Sequence, residues 1–168
     1  MKKSFFVLTA IITILFANQA NAQVERHQAT FVYNFTRLVQ WPNLHERPTF
    51  VIGILGRNAA LLNELNASAA DRNVGSRSIE VKEFASIEEL EYCHILFVSN
   101  SRLRDLARAN EKLANMPVLV VTENQGRQPA GSIINLSIEN ERLGLRLDEE
   151  LAEQRKLIIS RQLANFSR

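Results

Sequence analysis

The sequence predicts an α/β fold: a mainly parallel sheet with helices on both faces and a C-terminal antiparallel hairpin. Two observations carry this. Short, almost wholly apolar runs at residues 49–55 (TFVIGIL), 94–99 (HILFVS) and 117–122 (PVLVVT) alternate with segments of helical period. Strands without in–out alternation are those buried on both faces of a parallel sheet. Near the C-terminus the pattern becomes strictly alternating, through Ile134, Leu136 and Ile138 and then Leu143, Leu145 and Leu147, on either side of Glu139-Asn140-Glu141. That reads as two antiparallel strands joined by a tight turn.

The elements follow in chain order. Lys2 and Lys3 precede an apolar run over residues 5–17, and a polar stretch then ends in Ala20-Asn21-Ala22. Small residues at −3 and −1 of a cleavage site complete the layout of a secretory signal peptide. The run is too short to cross a hydrocarbon core of roughly 30 Å. We therefore expect a signal peptide over residues 1–22 and a single domain over residues 23–168, long enough to bury a core without disulfides or metals. The whole chain carries a formal charge of +2, and removing Lys2 and Lys3 leaves basic and acidic residues equal in number. A neutral domain has no electrostatic footprint for nucleic acid.

Residues 25–40 read as a helix, with Val24, Phe31, Val32, Phe35, Leu38 and Val39 on one stripe, ended by Trp41-Pro42. After the strand at 49–55 and Gly56, Asn58 can cap a helix over residues 59–69. Residues 77–84 alternate and suit a strand nearer the sheet edge. Ser86-Ile87-Glu88-Glu89 has the form of a capping box and predicts a short helix to Tyr92. Ser99, Asn100 and Ser101 offer caps for a helix through Leu113. A loop over residues 125–131 precedes the hairpin. Asp148 can cap a last helical region with Glu149 and Glu150 in its first turn, where the helix dipole favours carboxylates, and with Leu157, Ile158, Leu163 and Phe166 as its apolar contacts.

Motifs for chemistry are missing. Gly53-Ile54-Leu55-Gly56 lacks the third glycine of a dinucleotide loop and the G-K-[ST] ending of a phosphate loop. His27, His45 and His94 have no metal-ligand spacing, and no G-x-S-x-G occurs. Cys93 and His94 are neighbours, which a strand turns to opposite faces. The single cysteine, Cys93, cannot form an internal disulfide; it is either a buried small hydrophobe or a link between chains. No catalytic residue, metal or cofactor is expected. Arg37 and Trp41, four apart at a helix C-terminus, either finish the helix and the core or offer a cation and a ring to a small ligand.

The segments Phe31-Val32-Tyr33-Asn34-Phe35-Thr36-Arg37-Leu38-Val39-Gln40-Trp41-Pro42, Ile54-Leu55-Gly56, Cys93-His94-Ile95-Leu96-Phe97-Val98, residues 117–122, 131–136 and 145–148, and Leu157-Ile158-Ile159-Ser160-Arg161-Gln162-Leu163-Ala164 together resemble the YfiR-like family in order and spacing. The resemblance implies a compact periplasmic α/β regulator without a catalytic site. Such a protein represses an inner-membrane diguanylate cyclase by binding its periplasmic sensor domain. An outer-membrane lipoprotein can remove the repressor and so raise cyclic di-GMP, and other members serve sensor kinases. Relatives often pair the cysteine corresponding to Cys93 with one near the end of the first strand; here Val51-Ile52-Gly53 supplies no partner, which puts redox control through an internal disulfide in doubt.

Two functional readings follow. In the first, the protein is a periplasmic regulatory binding module whose partner surface comes from the C-terminal hairpin and helix: Leu143, Leu145 and Leu147 on one strand face, with Glu150, Ile158 and Leu163 beyond. Its partners are a diguanylate cyclase or sensor kinase, the lipoprotein, and a second copy through open sheet edges. Each of these apolar side chains serves equally well as core. In the second, it is a small-ligand receptor feeding a sensor kinase, with Arg37 and Trp41 at a cleft lined by the loops after Gly56, Ser99 and Thr122.

Overall fold

A computed structural model describes residues 23–42, 44–124, 126–139 and 142–167. The expected signal peptide at residues 1–22 lies outside the described residues. Helix α1 covers residues 23–38. It is followed by β1 (Val39–Gln40), β2 (Phe50–Leu55), α2 (Ala59–Ala69), β3 (Asn73–Val74), β4 (Arg77–Phe84) and β5 (Ile95–Val98). A 3-10 turn at Asn100–Asp105 leads into α3 (Leu106–Lys112); then come β6 (Leu119–Glu123), β7 (Ile134–Glu139), β8 (Arg142–Leu147), α4 (Glu149–Gln154), β9 (Ile158–Ile159) and α5 (Arg161–Phe166).

The described residues form a seven-stranded sheet in the order β3-β4-β2-β5-β6-β7-β8. The pairs β4–β2, β2–β5, β5–β6 and β6–β7 are parallel. The expected hairpin is present: β7 and β8 run antiparallel, with Leu136 opposite Leu145 and Ile134 opposite Leu147. The fold class read from the apolar runs is the observed one.

Alternate residues of the central strands feed two cores. Phe50, Ile52, Ile54, Phe97 and Val121 face the side covered by α1, α2 and the C-terminal segment. Val51, Leu55, Leu96, Val98 and Val120 face the side covered by α3 and the loop at residues 86–93. A strand lined on both faces has no polar positions to offer, which is why these runs read as continuous apolar stretches.

Two of the expected helix caps form, whereas Ser99 makes no side-chain cap and the segment after it opens as a 3-10 turn. Asn58 Oδ1 accepts the Leu61 N–H at 3.0 Å, and Asp148 Oδ1 accepts the Leu151 N–H at 2.9 Å. Three expectations need correcting. The first helix stops at residue 38 rather than 40, because Val39 and Gln40 pair antiparallel with Ile159 and Ile158. The capping box at Ser86 opens only a turn. The Glu89 carboxylate accepts the N–H of Ala85, one residue too early, and Ile87 and Leu90 are both pulled into the core. The last helical region is not continuous either. It breaks into α4, β9 and α5 around Lys156, whose φ of 60° lies in the left-handed region that ends helices.

Candidate functional site

The C-terminal segment is tied to α1. The Ser160 N–H donates to Leu38 O at 2.9 Å, beside the β1–β9 pairing. Ser160 then caps α5, its Oγ accepting the Leu163 N–H at 3.2 Å. At the far end Ser167 Oγ accepts the Leu147 N–H at 3.1 Å. Held at both ends, α5 lies across from α1 and leaves a groove of about 360 Å³ between them. Phe31, Asn34, Arg37 and Leu38 line one wall, Gln162 and Phe166 the other, with Phe35, Leu145 and Leu163 also contributing. Phe31 meets Phe35 edge-on at 6.4 Å. Phe166 is 61% exposed and Arg37 is exposed, so the groove combines an apolar floor, an exposed ring and a cation.

The expected surface residues divide. Leu145 and Leu163 are 4% and 2% exposed and belong to the core, so neither can form an open partner face. Leu147 is half-buried against the same core. Leu143 lies opposite Ile138 towards the hairpin end, and its side chain is outside the described residues. Glu150 is exposed in the first turn of α4 and does not line the groove. Ile158, on β9, is 62% exposed and reaches solvent.

Arg37 and Trp41 do not share a cleft. The chain leaves the helix before Trp41, which is buried at 6% exposure, edge-on to Phe50 at 4.9 Å, with its indole N–H donating to His94 O at 3.1 Å. The carboxyl ends of the strands are filled as well. The Arg102 side chain lies so close over Gly56 (φ 105°) that a Cβ there would meet its Cγ at 2.7 Å. The Gln28 amide, from α1, bonds to the Glu123 carboxylate at the end of β6, and burial raises the pKa of that carboxyl. Thr122 Oγ1 donates to Asn135 Oδ1 at 2.8 Å. Among the described residues, side chains from α1, β7 and the 3-10 turn thus pack at the carboxyl ends of these strands.

Cys93 is fully buried, and burial pushes its thiol up to about 12, far from any nucleophilic thiolate. A Cβ on Gly53 would meet Cys93 Sγ at 3.0 Å and a ring carbon of Phe84 at 2.7 Å. Only glycine leaves room there for both side chains as they are packed.

His94 is the residue that sequence reasoning missed. It is wholly buried, stacked on Phe50 at 4.4 Å, with Nδ1 accepting the Val51 N–H at 2.9 Å. Burial first, then the nearby Arg47 and Arg77, lower its pKa to about 4. The unfolded histidine takes its proton near pH 6.5, before the folded one does, so the unfolded chain binds more protons between the two values. The His94 contribution to stability is therefore constant above about pH 6.5 and falls as the pH drops towards about 4. The loss is on the order of 2 kcal/mol after allowance for solvent screening. Urea midpoints at pH 7 and pH 5 check this, and a slope in that window that persists in His94→Gln would belong to another group.

The family model for YfiR/HmsC-like proteins matches residues 25–168, the whole of the α/β fold from α1 to α5. The chain belongs to the YfiR/HmsC-like family. At family level this supports a regulator of diguanylate cyclase signalling. A comparison with curated proteins finds no match. Within this YfiR/HmsC-like fold the α1–α5 groove has an apolar floor and walls from the first and last helices.

Proposed function

We propose that this chain is a periplasmic regulatory protein that restrains an inner-membrane diguanylate cyclase by binding its periplasmic domain through the α1–α5 groove. The observation that carries the reading is the exposed Phe166 ring beside an apolar floor, with Arg37 at the rim. Large aromatics left in solvent beside a concave apolar surface are the usual anchors of protein interfaces. Arg37 has no carboxylate partner among the described residues, so a partner segment that brings an apolar side chain flanked by an acidic one fits the site. The periplasmic setting is supported by the signal-peptide layout of residues 1–22, and the output by the family.

The test is a pull-down from envelope extract with the processed protein as bait, read by mass spectrometry, for the wild type and Phe166→Glu. Wild type is expected to recover an inner-membrane protein with a diguanylate cyclase domain. Phe166→Glu is expected to reduce that recovery at least about tenfold, a loss of about 1.4 kcal/mol. Its urea midpoint should barely move, because surface changes cost within about 0.5 kcal/mol. Equal recovery by both proteins would remove the groove as the contact surface. Recovery of a sensor kinase in place of the cyclase would keep the binding module and change its output.

A further inference from the structure

We propose that a second cleft, at the amino-terminal ends of β2 and β5, binds a small organic carboxylate through His94 Nε2–H and the Arg47 guanidinium. This cleft shares no lining residue with the α1–α5 groove, and the inference stands apart from the proposed partner contact.

The first ground is an unanswered donor. His94 Nδ1 is occupied as an acceptor by the Val51 N–H, so the neutral ring carries its proton on Nε2. That nitrogen is buried and has no hydrogen-bond partner among the described residues. The ring cannot turn to satisfy it, because Phe50 stacks on its face at 4.4 Å while Tyr92 and Trp41 stand edge-on at 5.1 Å and 6.3 Å. A buried donor left unmade costs about 1–3 kcal/mol, so an acceptor supplied from outside recovers free energy the fold has given up.

The second ground is the space beside it. His94 lines a cleft of about 350 Å³ together with Arg47, Tyr92, Val51, Lys82 and Glu80. That is the size of a small-molecule site. The Arg47 guanidinium lies 4.3 Å above the Tyr92 ring, and no carboxylate pairs with it among the described residues. The same Tyr92 ring is a neighbour of His94, so the cation and the orphan donor flank one aromatic plate. Arg47 offers a planar fork and His94 a single N–H, the donor set a carboxylate takes with its two oxygens.

The charges on the rim decide between anions. Lys82 Nζ is already within 3.6 Å of a Glu80 oxygen and 3.7 Å of a Glu91 oxygen. Two carboxylates so placed repel a dianion more than a monoanion, which favours a monocarboxylate over a phosphate.

The test uses the purified processed protein with ¹⁵N-labelled histidine, titrated separately with acetate, benzoate and inorganic phosphate. A carboxylate is expected to shift the His94 Nε2 resonance saturably. Arg47→Gln should weaken that response at least about tenfold, with the urea midpoint unchanged because Arg47 is exposed. Phosphate is expected to leave the resonance in place. An unmoved resonance with both carboxylates would overturn the proposal and leave an ordered water as the acceptor. An equal response in Arg47→Gln would overturn it by removing the cation from the site. Saturable binding of phosphate as strong as that of the carboxylates would overturn the choice of ligand.

Discussion

Leu145→Glu is expected to lower the stability of the folded chain by about 4 kcal/mol or more, the size that follows from burying an unpaired charge. Leu145 is 4% exposed, paired opposite Leu136 on the inner face of the hairpin, and packed in the core that Leu163, Ala152 and Phe35 also enter. A carboxylate there has no cation within the core to meet it, so it must protonate or open the contact between β8 and α5. Urea unfolding is the measurement. A midpoint close to that of wild type would place Leu145 at the surface and return it to the partner face. The contrast with Phe166→Glu makes the pair informative: the two residues border the same groove, one as floor and one as exposed wall. The first substitution is expected to act on folding and the second on binding.

Arg155→Met is expected to cost about 3 kcal/mol, within the range for breaking a buried, hydrogen-bonded charge. Arg155 is 9% exposed and pairs with no carboxylate among the described residues. Its Nη1 donates to Leu113 O, and its Nη2 to Asn110 Oδ1 at 2.8 Å. Leu113 O lies at the C-terminal end of α3, where carbonyls lack partners and a cation is favoured. Asn110 in turn donates to Leu106 O at 3.0 Å and to Gly131 O at 3.1 Å. One guanidinium thus ties α4 to α3 and, through Asn110, to the loop that feeds β7. Arg155→Lys should recover only part of the loss, since an ammonium cannot reach in two directions as the fork does. A fall of less than about 1 kcal/mol in the methionine variant would show that water replaces the guanidinium, and would overturn this account of the joint.

The pattern of residues 77–84 and 134–147 gave the right strands because alternation reports which side chains share a face, and Leu143, Leu145 and Leu147 do alternate with Gly144 and Arg146. Alternation does not report which face another element will cover. The face carrying Leu145 is covered by α1 and α5, and of the expected partner surface Leu145 and Leu163 became part of the groove's floor. The end of the chain failed for a related reason. Residues 157–166 are apolar enough for one helix, but pairing with Val39 and Gln40, far away in sequence, draws Ile158 and Ile159 into a strand. Propensity over a few residues is weak against such a tertiary contact.

His94 shows the limit most clearly. As a letter beside Cys93 it carried no metal or catalytic spacing. Its significance lies in what the fold packs around it: a backbone N–H on one nitrogen, three aromatic rings, and no partner for the other nitrogen among the described residues.

By itself the sequence determined the alternation of the main strands and helices, the two-faced burial of the central sheet, and the caps at Asn58 and Asp148. These are local matters of period, side-chain polarity and hydrogen-bonding reach within a few residues. Only the tertiary structure decided that Trp41 faces inward while Phe166 faces out, and that His94 keeps a donor in reserve beside Arg47. Those outcomes depend on contacts between residues tens of positions apart, and no local pattern encodes which of two equally apolar surfaces the rest of the chain will cover.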